Sequence, residues 1–351
     1  MTAPRIVIGA GGTAGHVVPA LAVADALRAE GAEVVFVGGD RAERELVPAA
    51  GYELHAVRVV PLPRRRPLEA AQAGLVAAGA VRTAVRILGQ VRPTAVLGAG
   101  GYVAGPVGLS AVLSRTPLVL AEADSHLGLT NRLLAPFARR VCLAFPINGL
   151  DGSRYLLTGR PVPAPATDRQ AARARFGIGM SESCVLVFGG SQGARTINRA
   201  AVEAFAGARF HVLHAAGERD LHELHAPGAH YDLRGYISHF GEALLASDLV
   251  VARAGGSIFE IAAHGKPAVL VPYPYATADH QTSNASFMER AGAATIIPDR
   301  ELTPARLAGE VGRLLADPGR LAAMARASAA LARPHAARDI AHELLAAGRW
   351  N

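Results

Sequence analysis

The stretch Arg253 to Asn284, RAGGSIFEIAAHGKPAVLVPYPYATADHQTSN, holds residue types that a charged, sugar-bearing ligand would need. Gly255 and Gly256 carry no Cβ, so a diphosphate can approach the backbone there. Ser257-Ile258-Phe259-Glu260 then opens a helix, whose first N–H groups lack intrahelical acceptors and suit an anion. Glu260, one turn in, can accept hydrogen bonds from a ribose diol. Asp279, His280, Gln281 and Asn284 form a polar cluster on a second loop. Gly189-Gly190-Ser191-Gln192-Gly193-Ala194 is a further glycine turn, where the Ser191 hydroxyl can donate to a phosphate oxygen that backbone N–H groups also reach. Gly11-Gly12-Thr13-Ala14-Gly15-His16 ends in a histidine, and an unperturbed pKa of about 6.5 suits a general base. Glu122 is a second candidate base. Each feature has a plainer reading: glycine in a tight turn, and histidine capping or packing a helix.

Strands and helices must position these residues. Leu249–Ala252 and Ala268–Val271 are apolar runs of strand length, the second stopped by Pro272 and Pro274. They frame a strand–glycine turn–helix–strand unit, and open α/β sheets bind ligands at the carboxyl ends of their strands. Cys184–Phe188 and Phe210–Ala215 read as strands, and Phe240–Ser247 as a helix. Nearer the start, strand Arg5–Gly9 leads into the first glycine turn. A helix over Val17–Arg28 follows, with Pro19 in its first turn, and then strand Glu33–Val37. Strands are also predicted at 54–60, 95–98 and 117–121. The 98–106 segment is another glycine loop. Residues 158–166 are proline-rich and read as a linker between domains 1–158 and 159–334, with a last helix at 335–347. Gly9-x-Gly11-x-x-Ala14 also fits a dinucleotide fingerprint, but Asp40 stands further along than the usual acid at about 20 residues.

The 351 residues suit about two domains, and half of them are apolar. The net charge is +7, almost all of the cations being arginine; Lys266 is the sole lysine. The local signal is Arg64, Arg65 and Arg66 in a proline-bracketed loop. The 68–88 helix beyond it carries Arg82 and Arg86 on one face, and either packs on a sheet or touches anionic lipid. Cys142 and Cys184 sit in apolar runs without metal-ligand spacing and read as buried thiols. No apolar run reaches the roughly 18 residues of a membrane span. A strand begins almost at once, so no signal peptide is expected. The expected location is the cytosol or a membrane surface, with no nucleic-acid partner. No DxD-type carboxylate pair stands beside the loops, so neither metal nor cofactor is expected.

The longer strings resemble a known family. GGTAGHVVPALA at 11–22 resembles GGTGGHxxPALA, with Ala14 for a glycine. Residues 98–106 resemble GxGGYVSGP, and Glu122 with Gly128–Asn131 matches HEQNxxxGLTN. There Ala121, Ala123 and Asp124 replace His, Gln and Asn. GNPVR becomes Gly159-Arg160-Pro161-Val162-Pro163, and GGSQGA matches in full. These motifs, in order over essentially the full length, are similar to those of the GT-B nucleotide-sugar glycosyltransferases. Within that group they most resemble the family 28 enzymes that add N-acetylglucosamine to lipid-linked muramyl-pentapeptide in bacterial cell-wall synthesis. The resemblance implies an α/β GT-B fold of two facing Rossmann-like domains with a cleft between them, the last helix returning to the first domain. It implies a UDP-N-acetylglucosamine donor held by Ser191, Gln192, Gly193, Ile237 (at the uracil), Gly255, Gly256, Ser257, Glu260, Gln281 and Asn284. It places the acceptor against Thr13, Ala14, Gly15, His16, Glu122 and Asp124; Pro163 stands where the family has an arginine contacting the nucleotide sugar, and Arg160 or Arg169 is the nearby arginine to take that contact. It implies a peripheral enzyme on the cytoplasmic face of the inner membrane, with roles in peptidoglycan synthesis, cell shape and division. The remaining alternatives are a diacylglycerol glycosyltransferase, a UDP-N-acetylglucosamine 2-epimerase, a dinucleotide-dependent oxidoreductase and a lipid-anchored binding module.

Overall fold

Apolar runs in this chain become parallel strands covered on both faces, as all-parallel sheets require. The structure, a computed structural model, describes residues 3–59, 67–190, 193–276 and 279–349, with 67–75 as backbone only. Arg64, Arg65 and Arg66 lie outside the described residues. The chain divides into two units, residues 1–163 with 333–351, and residues 164–332.

In the first unit the strands are β1 (Arg5–Gly9), β2 (Glu33–Gly38), β3 (Glu53–Ala56), β4 (Ala95–Gly98), β5 (Leu118–Glu122), β6 (Arg140–Leu143) and β7 (Tyr155–Leu157). Its helices are α1 (Ala14–Ala29), α2 (Ala42–Ala49), α3 (Pro67–Val91), α4 (Ala104–Leu113) and α5 (Leu129–Leu134). The sheet order is β3-β2-β1-β4-β5-β6-β7, all parallel. Successive side chains alternate between its faces. Ile6 and Ile8 pack with α1, while Val7 packs with α3 and α4 on the other side.

The second unit holds β8 (Cys184–Phe188), β9 (His211–Ala215), β10 (Tyr231–Arg234), β11 (Leu249–Ala252), β12 (Ala268–Leu270) and β13 (Ala294–Ile296). Between and after them run α6 (Arg169–Arg175), α7 (Arg195–Ala204), α8 (Glu218–Leu221), α9 (Phe240–Ala246), α10 (Ile258–Ala263), α11 (His280–Arg290), α12 (Pro304–Leu315) and α13 (Pro318–Ala330). The order is β10-β9-β8-β11-β12-β13, again parallel. The last helix, α14 (Ala336–Gly348), packs in the first unit, where Ile340, Ala341, Leu344 and Ala347 join the core beside α1.

The units divide after Pro163 and Ala332 rather than after 158 and 334, several element ends shift by a residue or more, and three shifts bear on the site. α1 begins at Ala14 rather than 17, so Pro19 sits in its second turn. β3 stops at Ala56 rather than 60. β5 ends on Glu122, which puts that carboxylate at the strand tip.

At the far end of α9, three cations meet the helix's last carbonyls, which have no intrahelical donor. Lys266 Nζ donates to Leu245 O at 3.0 Å and Ser247 O at 2.7 Å. Arg169 donates to Leu245 O at 2.6 Å, and Arg173 to Ala246 O at 2.9 Å. Asp248 accepts from Arg169 at 2.6 Å and from the Cys184 N–H at 2.8 Å. Burial, helped by Arg169, lowers the Lys266 pKa to about 8. The unfolded chain therefore binds more protons than the folded one between that value and the ordinary 10.5, and stability rises with pH across the window. Burial pushes the Cys142 and Cys184 thiols up to about 12, which acts in the opposite sense above about pH 9. The lysine contribution is thus read as a difference. Urea unfolding of the second unit should show wild type gaining about 1–3 kcal/mol on Lys266→Met from pH 8 to 10.5. Parallel curves for the two proteins would contradict this.

Candidate functional site

In each sheet the strand order reverses once, at β1/β4 and at β8/β11, and open α/β sheets bind ligands at such switch points. The glycine turns singled out in the sequence follow these four strands.

In the first unit the two turns are held by a side chain the sequence reading passed over. Glu43, fully buried, accepts from Gly12 N at 2.9 Å and Gly39 N at 2.8 Å. A Cβ on Gly11 would lie 2.5 Å from its Oε1. Its carboxylate takes a turn N–H from inside the Gly9–Ala14 fingerprint and ties that turn to the end of β2. A Glu in the turn after β2, one helix start beyond Gly38-Gly39, was the available signal.

The turn after β4 meets the turn after β1 backbone to backbone. Gly101 has φ +73, and a Cβ there would lie 2.0 Å from Gly11 O. Gly100, φ +100, presents its Cα to the His16 ring; a Cβ would lie 2.7 Å from Nδ1. That nitrogen is buried without a hydrogen-bond partner. Thr13 stands at the α1 N-cap with its hydroxyl uncommitted to the cap, and Ala14 and Gly15 form the helix's first turn. Pro19 has no N–H, so the Gly15 carbonyl lacks its helical donor. Arg160 Nη2 donates to that oxygen instead. Burial lowers the His16 pKa, the Arg160 charge lowers it further, and Asp124 acts in the other direction. His16, Arg160 and Glu122 line a cavity of about 30 Å³, with apolar walls from Pro19, Val23, Leu97 and Ala121.

Glu122 does not suit a base. Its oxygens accept from Asp124 N at 3.0 Å, Gly128 N at 2.8 Å and Asn131 Nδ2 at 2.9 Å. Burial raises its pKa while those donors pull it down. A carboxylate with its lone pairs so spent builds the 123–128 loop rather than taking a proton from a substrate.

In the second unit, Ser191 and Gln192 lie outside the described residues. Gly193 (φ +70) would place a Cβ 2.1 Å from Ala216 O, so the turn after β8 is pressed on the end of β9. Beneath it, Asn198 Nδ2 donates to Ala216 O at 2.8 Å and to Asp220 at 3.1 Å, while its Oδ1 is 3.0 Å from His214 Nε2. Burial pushes His214 down to about 4, so the ring is neutral. Nε2–H donates to Asn198, and Nδ1 accepts from Tyr231 at 2.7 Å.

The turn after β11 brings Gly255, Gly256, Ser257 and Gln281 together. A Cβ on Gly255 would lie 3.9 Å from Gln281 Nε2, and Gln281 Oε1 accepts from Tyr273 N at 2.9 Å. Asn284 is 2% exposed and donates to Ala254 O at 3.0 Å. It therefore supports the turn from below, while its Oδ1 is buried without a hydrogen-bond partner. Glu260 lies in the middle of α10, and the Ile237 side chain is buried, so only its backbone can touch a ligand. Arg253, also unsuspected, is buried and donates to Val271 O at 3.0 Å, Pro272 O at 3.2 Å, Asp299 at 2.5 Å and Thr196 at 2.8 Å. It fixes the ends of β11 and β12 to α7.

The glycosyltransferase family 28 N-terminal domain matches residues 6–143, and the family 28 C-terminal domain matches 184–344. Two relatives bear the name UDP-N-acetylglucosamine--N-acetylmuramyl-(pentapeptide) pyrophosphoryl-undecaprenol N-acetylglucosamine transferase. That of Nitrosococcus oceani is 41% identical over 320 residues, 88% of this chain and 89% of its own. That of Halothermothrix orenii is 35% identical over 338 residues, 89% and 90%. The crystal structure of Acinetobacter baumannii MurG superposes with a TM-score of 0.79 at 28% identity, covering 98% of this chain and 100% of that one.

The glycine turns give a graded test. Gly101→Ala combines positive φ with a backbone clash and should destabilise the first unit by about 3 kcal/mol or more. Gly31→Ala, φ +79 in open space, should cost only about 1 kcal/mol. Equal losses in thermal unfolding would remove the argument that the two turns touch.

Proposed function

We propose that this chain, which belongs to glycosyltransferase family 28, transfers N-acetylglucosamine from UDP-N-acetylglucosamine to the muramyl sugar of undecaprenyl-diphosphate-linked muramyl-pentapeptide. The full-length similarity to transferases of that name carries the reading. His16 Nε2 takes the proton of the acceptor hydroxyl as its oxygen bonds to C1 of the donor sugar, and the bond from C1 to the diphosphate oxygen breaks on the opposite side, inverting the centre. The leaving UDP gains charge, which N–H groups of the turns at 189–194 and 255–257 stabilise. Ser191, Gln192, Gly193 and Gln281 meet the diphosphate and sugar, Glu260 the ribose, and the Ile237 backbone the base. Thr13, Ala14, Gly15 and Asp124 face the acceptor.

His16→Ala should lower kcat about 10²–10⁴-fold with donor affinity nearly unchanged. Lost donor affinity with turnover preserved would make His16 a loop residue. Product analysis separates the rivals: free N-acetylmannosamine would mark an epimerase, and a glycosylated diacylglycerol a lipid transferase.

The acceptor's polyprenyl tail puts the first unit at a membrane surface. Among the described residues no helix is long and apolar enough to cross one. The described apolar face of α3 (Ala80, Ala84, Ile87, Leu88, Val91) is buried, which leaves Arg82 and Arg86 outward but little apolar surface there. Exposed apolar side chains stand instead on α4 and α5 and just beyond: Leu109, Leu113, Leu129, Leu133 and Phe137, the last 63% exposed. The two helices pack together, as a Cβ on Gly108 would meet Leu134 at 2.6 Å. Arg115, Arg132 and Arg139 are exposed among them. Large outward leucines beside arginines suit an anionic bilayer surface. Changing Leu113, Leu133 and Phe137 to Ser should reduce sedimentation with anionic vesicles at least about tenfold, at roughly 0.8 kcal/mol per buried CH₂. Undiminished binding would put the membrane face elsewhere.

A further inference from the structure

The 159–161 segment carries an arginine where the motif it resembles carries asparagine, and its side chain turns to α1. Three observations converge there. Pro19 leaves the Gly15 carbonyl without a helical donor. Arg160 Nη2 fills that vacancy and stands 3.7 Å from where a Cβ on Gly15 would be. His16 is the next residue, its Nδ1 closed off by Gly100 and its ring lining the same cavity as Arg160.

We propose that Arg160 is a positioning residue for the base: tied to the Gly15 carbonyl, its guanidinium holds a fixed positive charge beside the His16 imidazole, and this charge adds to burial in favouring the neutral ring that can take a proton from the acceptor hydroxyl. This rests on the reading of His16 as base. With one N–H committed to α1, any contact of Arg160 with the nucleotide sugar falls to its remaining N–H groups.

The charged neighbours bear on the balance. Arg160 disfavours imidazolium, and Asp124, from the loop after β5, favours it. Glu122 lines the cavity, but three donors hold its carboxylate. Cys142, from β6, is kept a neutral thiol by burial. The 99–103 turn meets the ring with the backbone of Gly100, and α14 offers Ile340. Arg160 is thus the cation of this group. Guanidinium keeps its charge throughout the working range, so the bias does not itself titrate.

The test uses the full-length protein, with ¹³C-labelled histidine followed by NMR and kcat/KM for transfer from UDP-N-acetylglucosamine measured from pH 5 to 9. In wild type the His16 titration and the acid limb of the profile should share a midpoint below the ordinary 6.5. Arg160→Met should raise both by about half a pH unit or more, with activity falling several-fold near pH 6 and changing little near pH 8. Donor KM should hold. Arg160→Lys, which keeps a charge but not the planar fork, should fall between, and it serves if the Met variant folds poorly. An unmoved His16 titration in Arg160→Met overturns the proposal, as does a raised donor KM with a fixed profile. His16→Ala separates the two readings. If the acid limb survives there, His16 is not the base, while the NMR titration still judges the link to Arg160.

Discussion

Both sheets depend on a backbone approach that only glycine permits. In the first unit Gly101 rests on the Gly11 carbonyl, and in the second Gly193 rests on the Ala216 carbonyl. Each contact joins a glycine turn to the end of a neighbouring strand or its loop: across the β1/β4 reversal in the first unit, and between β8 and β9 in the second. Because the turns touch without intervening side chains, their N–H groups and the residues just beyond them occupy fixed positions. His16 is held in this way, by a helix that starts at one turn and by a Cα from the other. A site that must stabilise developing charge gains from dipoles that need not reorganise.

The buried acids serve the scaffold. Glu43 joins two turns, Glu122 closes the loop after β5, and Asp220 receives Asn198 and Arg219. Each carboxylate satisfies at least one N–H group that would otherwise be buried without an acceptor, for Asp220 that of Asn198, at about 1–3 kcal/mol per orphan. The consequence in the first unit is a division of labour. Carboxylates shape the loops, and the imidazole, whose charged form burial and Arg160 disfavour, keeps an Nδ1 without a hydrogen-bond partner.

The sheets were legible in the sequence because parallel strands are continuous apolar runs, and glycine clusters marked the turns between them. Strand ends such as Gly9, Gly98 and Ala252 fall where expected. The start of α1 did not, because Ala14 and Gly15 look like turn residues, and nothing local says that an arginine 145 positions away replaces the donor Pro19 lacks. Glu122 read as a free base because its three donors come from residues spread over the following loop. Asn284 read as a sugar ligand because its partner, the Ala254 carbonyl, is a backbone atom without sequence identity. Side-chain type was visible; what each polar atom was already bonded to was not.

The cation cluster under α9 has a practical corollary. Lys266 is the chain's one lysine, and it is 7% exposed with its amine turned to two carbonyls. The folded surface is therefore cationic through guanidinium, and acylating reagents find no lysine there to modify. An acyl label arriving at Lys266 would time-stamp excursions in which the second unit loosens around that helix end, making this residue a built-in clock for local opening.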